Sequence, residues 1–269
     1  MELPPRTAQT VLTLFALLAL CVACNAEPTL PIHEHRIVDL TWTIDETTVV
    51  WPTSPGFTLE TQHDGVTEAG YYYLSHLLHA PEHGGTHIDA PRHFFEERDT
   101  TDMIPLDRLI GPGITLDVRR ACRENPDYLV GIDDFKAWEK EHGQMPERAI
   151  VLLNTGFGAF WPDRASYMGT AERGPEAVAR LHFPGLDPEA ADWLARRRIR
   201  AIGLDTPSID HGPSTEFSAH VGLFEHNIPA FENVAHLDKL PARGFTVIAL
   251  PAKIGGGSGG PLRIVALLP

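Results

Sequence analysis

Residues 83–94 read HGGTHIDAPRHF and place three imidazoles and one carboxylate within eleven positions, from His83 to His93. Imidazole and carboxylate groups are the usual protein ligands of zinc and of neighbouring divalent metals. The two glycines and the proline of this segment disfavour a helix. The pattern therefore predicts a turn that leads into a short strand, with a metal site built from its polar side chains.

Strand geometry determines which of these side chains can meet. In a strand, His87 and Asp89 project from one face, and the apolar residue between them projects from the other. His83 can reach the first face from the turn, and His93 follows a proline that suits the first turn of a helix. The alternative is a histidine-rich surface loop without a metal, but solvated loops seldom combine this ligand spacing with flanking apolar residues.

The bulk composition is that of a soluble globular protein. The 269 residues suffice for one large domain or two small ones. Hydrophobic residues make up 43% of the chain and charged residues 22%, and both values are ordinary. The net charge of -14 disfavours nucleic acid, because phosphate binding needs basic patches. We therefore expect no nucleic-acid partner.

The N-terminus carries a mainly apolar run at residues 10–23, which follows Arg6. A membrane-spanning helix needs about 20 apolar residues, so we expect no transmembrane span. A short apolar run behind a positive charge is typical of a signal peptide for export to the periplasm. The alternatives are a lipoprotein signal, with Cys24 lipidated, and a buried N-terminal helix. The expected order is a signal peptide at 1–26 (or a lipoprotein signal to 23), a leader at 27–35 and one domain at 36–269.

Cys122 is the single cysteine of the expected mature chain. One cysteine cannot form an internal disulfide, so the core, a metal or oligomerisation must stabilise the domain. Cys122 lies in a polar segment without a nearby histidine. This setting favours an incidental thiol over a catalytic nucleophile.

The pattern along residues 36–269 predicts more strand than helix. Strand candidates are rich in aliphatic residues and are bounded by glycine, proline and aspartate. Interspersed helix candidates predict a mixed α/β (α+β) single domain with central β-structure flanked by helices. The strand candidates are Arg36–Thr41, Thr47–Trp51, Tyr71–Leu78, Ile114–Val118, Ala149–Asn154, Ile199–Asp205, Phe245–Leu250 and Leu262–Leu267. The helix candidates are Asp133–His142, Asp187–Arg198 and Ser214–His226, and Asn154–Phe183 is an irregular excursion.

Two downstream residues could complete the metal site. His220 lies in the third helix candidate and Glu232 follows it, and both have apolar neighbours. An ionised glutamate among apolar residues is costly unless it is paired or bound to a metal. A buried structural histidine and a solvated glutamate are the alternatives. Composition alone does not select His220 over His211, His226 or His236.

A family resemblance adds what composition does not provide. From Arg36 to the C-terminus, the chain resembles the metal-dependent cyclase family of hydrolases, which includes bacterial kynurenine formamidase and isatin hydrolase. The resemblance implies a fold of the swivelling β/β/α type. It rests on the motif at 83–94, on DTPSID at 205–210, on the His220 and Glu232 pair, and on GGSGGPLR at 256–263.

The resemblance also implies roles for individual residues. His93 resembles the proton donor and acceptor of the family. Trp51 resembles an aromatic that packs against an aryl substrate, and the alternative is a core aromatic. Asp89 and Glu232 resemble carboxylates that bridge two metal positions. The metal ligands implied by the resemblance are His83, His87, Asp89, His220 and Glu232.

The implied activity is hydrolysis of a carbon–nitrogen amide bond by metal-activated water. After Trp51 the chain departs from the formamidase pattern, and it has extra length at 154–183, so it is more similar to isatin hydrolase. We therefore expect opening of a cyclic aryl amide. Arylformamidase activity is one alternative, and a non-catalytic exported metal- or ligand-binding protein is the alternative of another class. The expected cofactor is Mn²⁺ or Zn²⁺, and the expected assembly is a homodimer or a higher homo-oligomer.

The glycine-rich segment at residues 255–260 matches two unrelated motifs. Its Gly256-x-Ser258-x-Gly260 pattern fits the nucleophile elbow of serine hydrolases, in which an acid and a histidine follow the serine. No histidine or aspartate follows Gly260 in the sequence. A dinucleotide-binding G-x-G-x-x-G pattern needs a following helix, but here a proline and a strand follow. We therefore expect a turn whose glycines let the backbone approach another segment closely.

Overall fold

The computed structural model describes residues 35–269, and Arg36–Pro269 form one compact unit. The predicted signal peptide and all of the leader except its last residue lie outside the described residues. Within residues 35–269, none of the helices has the length and apolar character that crossing a bilayer requires. Strands and helices are interspersed along the chain, which confirms the predicted mixed α/β class.

Twelve strands lie within the described residues, and eight of them form the main sheet. They are β1 (Arg36–Asp39), β2 (Thr58–Val66), β3 (Tyr72–His79), β4 (His87–Asp89), β5 (Ile110–Asp117), β6 (Leu129–Val130), β7 (Ile150–Asn154), β8 (Gly185–Leu186), β9 (Ala201–Leu204), β10 (Ala230–Glu232), β11 (Arg243–Pro251) and β12 (Gly259–Leu268).

The main sheet has the order β1-β12-β11-β5-β7-β9-β10-β4. Four neighbouring strands of this sheet run parallel, as strands joined by long crossovers do, namely β5, β7, β9 and β10. The other pairings in the sheet are antiparallel. β4 pairs with β10 on one side and with β12 on the other. The sheet therefore closes into a barrel-like structure in which β4 is the closing strand.

Seven short or medium helices are interspersed with the strands of the described chain. The longest, α3, ends where Gly143 takes a φ of 84°, and Asp187 caps α6 by accepting the backbone N–H groups of Glu189 and Ala190. The helices are α1 (Leu106–Leu109), α2 (Arg119–Glu124), α3 (Ile132–His142), α4 (Arg164–Met168), α5 (Pro175–Val178), α6 (Pro188–Arg196) and α7 (Ser218–Phe224).

Strand β7 shows how the sheet divides the hydrophobic core. Its side chains alternate, so Val151 and Leu153 join one cluster whereas Ile150 and Leu152 join another. The first cluster includes side chains of α3, α6 and α7, so these helices pack on the outer face of the sheet. The second cluster consists mainly of strand residues and fills the interior of the barrel.

Two predicted elements differ in the structure. The predicted strand at Thr47–Trp51 is wrong, because its single pairing is an isolated bridge between Val50 and Gly84. Thr48, Val49 and Val50 are buried by packing and not by a strand ladder. The predicted helix at Ser214–His226 is shortened to α7, since Phe217 has a φ of 51°, outside the helical range.

Strands β2 and β3 form a separate two-stranded hairpin, termed here the hairpin β2–β3. Its side chains are exposed on both faces of the ribbon. Sequence analysis missed β2, because its polar sequence, TLETQHDGV, lacks the alternation of a strand that buries one face. The predicted irregular excursion at Asn154–Phe183 contains the short helices α4 and α5.

Candidate metal centre

Strand β4 brings two predicted ligands to the outer face of the sheet. Ile88 packs into the interior cluster, so His87 and Asp89 on either side of it point the opposite way. On β10, Phe231 packs in the same cluster, and Glu232 lies opposite His87 in the strand register. The alternation of one strand and the register of its neighbour thus gather three ionisable side chains at one point.

The other two predicted ligands come from a turn and from a helix. His83, in the turn before β4, has its Nδ1 2.7 Å from Oδ1 of Asp89. His220, on α7, has its Nε2 3.1 Å from Oδ2 of Asp89 and 3.2 Å from Oε1 of Glu232. All five predicted ligands are therefore brought together. They form two groups that share one carboxylate, His83 with His87 and Asp89, and Asp89 with His220 and Glu232.

This donor set fits a divalent cation. The Nε2 atom of His87 is buried 3.1 Å from Oδ1 of Asp89, but no described residue meets it with hydrogen-bond geometry. Asp89 and Glu232 are 2% and 4% exposed, so two carboxylates share a site that is shielded from water. Buried like charges are costly unless a cation balances them. Imidazole nitrogen and carboxylate oxygen are ligands that zinc and manganese both accept.

The buried charges perturb one another. Burial would lower the pKa of His87, but the adjacent Asp89 and the charge of Glu232 raise it to about 9. Burial also opposes protonation of His220, but Asp210, Asp89 and Glu232 raise its pKa well above the ordinary value. Burial and the negative charge of Asp89 raise the pKa of Glu232. In the metal-free protein, protons on the imidazoles therefore balance the carboxylates, and a metal that binds must displace them.

In His220 and His87, the ring nitrogen that faces away from the centre forms a hydrogen bond. Nδ1 of His220 lies 2.6 Å from Oδ2 of Asp210, so this carboxylate orients the ring of His220. Nδ1 of His87 donates to the carbonyl oxygen of Gly85 at 2.9 Å, and Nδ2 of Asn233 donates to the same oxygen at 2.8 Å. Such contacts fix the tautomer and the ring orientation of a ligand histidine. Sequence analysis missed Asn233.

His93 lies in the 3₁₀ turn Pro91–His93, directly after β4. Its ring stacks on that of His83, with centroids 3.9 Å apart and an interplanar angle of 22°. Loss of hydration, reinforced by the nearby imidazoles and opposed by the charge of Asp89, lowers the pKa of His93 to about 4. His93 is therefore neutral at neutral pH and can accept a proton beside the ligand cluster.

A cavity of about 380 Å³ opens onto the ligand cluster. Its volume lies within the range of small-molecule sites. Trp51, Phe94 and Phe217 line it, with ring centroids of Phe94 and Phe217 5.2 Å apart and those of Trp51 and Phe217 6.4 Å apart. Trp51 is half-buried. Its ring is therefore part of an aromatic wall beside the ionisable groups.

A larger cavity of about 910 Å³ lies elsewhere, at the carboxyl ends of β7 and β9. Neither of the two potential metal-binding groups found among residues 35–269 lines it. Asp205, which borders it, accepts the backbone N–H groups of Thr155, Gly156 and Gly158. Asp205 therefore holds the loop after β7 and does not reach the candidate metal centre.

Residues 38–211 match the model of the Cyclase family, which is described as "Putative cyclase". The isatin hydrolase of Roseibium aggregatum is 32% identical over 250 residues, which cover 88% of this chain and 93% of that protein. The chain belongs to the Cyclase family. The kynurenine formamidase of Salinibacter ruber is 28% identical over 235 residues, which cover 85% of this chain and 96% of that protein.

Solved structures share the architecture of this Cyclase-family chain. An isatin hydrolase bound to the product analogue thioisatinate matches with a TM-score of 0.80 at 28% identity, over 98% of this chain and 100% of that one. Isatin hydrolase A from Labrenzia aggregata, bound to benzyl benzoate, matches with a TM-score of 0.79 at 32% identity, over 94% of this chain and 99% of that one. The similarity therefore extends over nearly the full length of both chains.

Three further residues take positions that the sequence alone did not indicate. Ser258 and Glu82 lie beside His83, and the hydroxyl of Ser258 donates to Oε2 of Glu82 at 2.7 Å. Cys122 lies on α2 and is buried in the core, although its sequence neighbours are polar. Burial raises the pKa of the Cys122 thiol to about 12, which agrees with the interpretation of an unreactive thiol.

Proposed function

We propose that this Cyclase-family chain is a metal-dependent hydrolase that cleaves a carbon–nitrogen bond in a small aromatic amide. One observation carries the proposal. Five metal-ligating side chains converge beside a neutral histidine, and all six line or border a cavity with an aromatic wall. Such a convergence of ligands, a proton acceptor and an apolar surface is typical of a hydrolytic site that uses a metal.

The proposed chemistry divides between a bound metal and the chain's own residues. A divalent metal held by the five ligands would act as a Lewis acid and would lower the pKa of a water molecule toward neutrality. His93 accepts a proton from the attacking water and returns it to the leaving nitrogen, a transfer that contributes typically about 10²–10⁴-fold to the rate. Asp210 and the carbonyl oxygen of Gly85 keep the lone pairs of His220 and His87 directed inward.

The aromatic wall favours a flat aryl substrate. Trp51 and Phe217 offer ring faces beside the ligand cluster, and aromatic pairs prefer offset or tilted contacts with such faces. Relatives named isatin hydrolase and kynurenine formamidase both act on small aromatic amides. The similarity in fold to isatin hydrolases supports opening of a cyclic aryl amide as the first candidate and arylformamidase activity as the second.

A comparison of two substrates tests this proposal. Purified protein is assayed with isatin and with N-formylkynurenine, before and after chelation, and again after Mn²⁺ or Zn²⁺ is restored. We expect faster turnover of isatin, loss of activity on chelation and recovery with metal. Faster turnover of N-formylkynurenine would favour the formamidase alternative. A metal-loaded protein that hydrolyses neither compound would support a non-catalytic binding protein.

The proposed metal is manganese or zinc. Three imidazoles and two carboxylates form a nitrogen and oxygen donor set without thiolate, which suits both ions. Elemental analysis of protein purified without added metal identifies the ion and its stoichiometry. The shared carboxylate, Asp89, allows one or two ions per chain, so the measured ratio also decides between these two arrangements.

We propose that two copies of the chain associate through the hairpin β2–β3. An isolated two-stranded ribbon is at best marginally stable in water, yet Tyr72 and Val66 on this one are 62% and 71% exposed. Eight such side chains together expose on the order of 900 Å², close to the roughly 800 Å² that one partner buries in a stable complex. They are Leu59, Val66, Tyr71, Tyr72, Tyr73, Leu74, Leu77 and Leu78.

A second copy is the partner that this surface fits best, because a two-fold axis can bring the same apolar side chains of the two copies into contact. Light scattering on the purified protein tests the assembly. We expect a single species of twice the chain mass. A species of one chain mass at the concentration of the assay contradicts the dimer.

We also propose that residues 1–26 direct export to the periplasm and are removed. The apolar run behind Arg6 supports this, and Cys24 offers an alternative site of lipid attachment. Mass spectrometry of protein recovered from the periplasm tests the proposal. We expect a chain that begins after Ala26, whereas a lipid-modified Cys24 would establish the lipoprotein alternative.

A further inference from the structure

His83 differs from the other ligand imidazoles in the nitrogen that faces the centre. Its Nδ1 lies 2.7 Å from Oδ1 of Asp89, whereas His87 and His220 direct Nε2 toward the carboxylates. Nε2 of His83 instead lies 2.9 Å from the hydroxyl oxygen of Ser258. To direct a lone pair toward the same site, His83 must therefore carry its hydrogen on Nε2, whereas His87 and His220 must carry theirs on Nδ1.

Ser258 is itself oriented by a carboxylate. Its hydroxyl donates to Oε2 of Glu82 at 2.7 Å, and its backbone N–H donates to the same oxygen at 3.2 Å. An ionised carboxylate only accepts hydrogen bonds, so the single hydroxyl proton of Ser258 is committed to Glu82. Toward His83, the hydroxyl oxygen can then act only as an acceptor, which requires a hydrogen on Nε2.

The glycine-rich segment at residues 255–260, which leads into β12, makes this contact possible. A Cβ atom at Gly259 would lie 2.5 Å from Cε1 of His83 and 2.7 Å from the carbonyl oxygen of Ile88. The hydroxyl of Thr101 shares its single proton between the carbonyl oxygens of Gly257 and Gly259, at 3.1 and 3.0 Å. The backbone on both sides of Ser258 is therefore held closely against the ring of His83.

We propose that Ser258 and Glu82 are positioning residues that fix His83 in its Nε2–H tautomer and so present Nδ1 to the metal. This inference rests on the proposed function, since it assigns the geometry of one ligand of that site. It gives the motif Gly256-x-Ser258-x-Gly260 a role without making Ser258 a nucleophile. Loss of an outer hydrogen-bond partner of a ligand histidine typically weakens metal affinity by about 10–100-fold.

Two variants test the two contacts. Ser258→Ala removes the acceptor for Nε2 of His83. Glu82→Ala removes the acceptor of the Ser258 hydroxyl proton, which can then turn toward Nε2 and favour the wrong tautomer. Ser166→Ala is the matched control, because it removes a serine-to-carboxylate hydrogen bond, to Asp163, outside the site.

The probe is Zn²⁺ alone, and its affinity is measured by competition with a chelator. We expect both site variants to bind Zn²⁺ roughly 10–100-fold more weakly than wild type, with the control unchanged and the melting temperatures of the metal-free proteins equal. Long-range ¹H–¹⁵N spectra of the zinc-loaded wild type should show a hydrogen on Nε2 of His83 but on Nδ1 of His87 and His220.

The inference is overturned if the spectra place the hydrogen of His83 on Nδ1, or if Ser258→Ala binds Zn²⁺ within about twofold of wild type, which is far less than the loss expected. In both cases wild type still binds zinc, so the proposed function survives. A wild-type protein that binds no zinc would overturn the inference together with the metal site on which the proposed function depends.

Discussion

The hairpin β2–β3 and the strand β4 are neighbours in sequence, separated only by residues 80–86, yet their surroundings are opposite. All three residues of β4 are buried, although two of them are ionisable. Most residues of the hairpin are exposed, although it is rich in leucine and tyrosine. Buried charge and exposed apolar surface both cost free energy unless something compensates.

This contrast shows how one stretch of chain can indicate two kinds of binding. At β4, a bound cation would offset the cost of burying the carboxylates beside the imidazoles. At the hairpin, the compensation that fits exposed leucine and tyrosine is the apolar surface of a second copy. The buried charge of β4 concerns metal binding, and the exposed apolar surface of the hairpin concerns assembly. Separate variants can therefore test the two regions.

The largest effect is expected at the carboxylate shared by both ligand groups. Asp89→Asn keeps the shape of the side chain but removes its charge, so metal binding and turnover should both fall below detection. The loss should exceed the roughly 10–100-fold that follows removal of an outer hydrogen-bond partner. Elemental analysis and an isatin assay measure the two quantities. Asp64→Asn, on the hairpin, is the matched control and should retain both, whereas normal metal content in Asp89→Asn contradicts the ligand assignment.

The next effect separates proton transfer from metal binding. His93→Asn should keep its metal but lower kcat by about 10²–10⁴-fold, because a positioned acid and base is lost. His79→Asn changes an exposed histidine of the hairpin and should leave kcat unchanged. Loss of metal in His93→Asn, with normal specific activity after reconstitution, would make His93 a ligand.

A double variant in the hairpin β2–β3 tests the proposed association of two copies. Leu59 and Leu78 lie opposite each other in the hairpin register and are 56% and 51% exposed. The double variant Leu59→Thr/Leu78→Thr retains β-propensity but should weaken the dimer by at least about 10²-fold, since burial of a leucine contributes roughly 1.5–3 kcal/mol. Sedimentation across a range of concentrations measures this change.

Leu106→Thr controls for the loss of an exposed leucine elsewhere, because Leu106 is 64% exposed on α1. It should leave the dimer intact. Both proteins should retain full metal content. An equally strong dimer in the double variant removes the argument for association through the hairpin, and loss of metal would mean that the two regions are not separable.

Much of the site was predictable from sequence where a local pattern determines it. The spacing of His87 and Asp89 around one apolar residue fixed their common face, and β4 confirms that geometry. The selection of His220 needed the family resemblance, because contact between α7 and β4 depends on packing over a long sequence separation. His236, an equal candidate by composition, instead packs its ring against Trp42, with centroids 4.9 Å apart.

Other features depended on tertiary contacts that no local pattern records. Thr47–Trp51 has the β-branched composition of a strand, but only Val50 finds a strand-like partner there. The polar β2 is a strand because β3 pairs with it and not because one face is buried. Ser258 lies 175 residues from His83 in sequence, so its contact with that ring could not be inferred from spacing.

A smaller effect is expected at the aromatic wall. Trp51→Ala should raise KM for an aryl amide by about 2–10-fold with little change in metal content, since an aromatic contact contributes roughly 0.5–1.5 kcal/mol. Trp51→Phe keeps a ring and should restore most of the affinity. Steady-state kinetics with isatin measures KM, and an unchanged KM in Trp51→Ala would place the substrate elsewhere in the cavity.

The smallest effect is expected at Cys122, a buried group that belongs to neither region. Burial raises the pKa of Cys122 to about 12, so the native thiol stays protonated, and its alkylation should remain slow between about pH 7 and about pH 10. In the unfolded chain the thiol has its ordinary pKa, and alkylation should accelerate as the pH rises toward about 9. Peptide mapping by mass spectrometry follows this residue alone. Fast native labelling at neutral pH would show that the thiol is exposed.

The most direct test is anomalous diffraction from crystals of the metal-loaded protein, recorded on both sides of the absorption edge of the bound metal. The account predicts one or two peaks within coordination distance of Asp89, with imidazole nitrogens of His83, His87 and His220 around them. Density for the metal only at surface pairs such as His182 with Asp127, or five predicted ligands that remain bonded to one another without an ion, would contradict it.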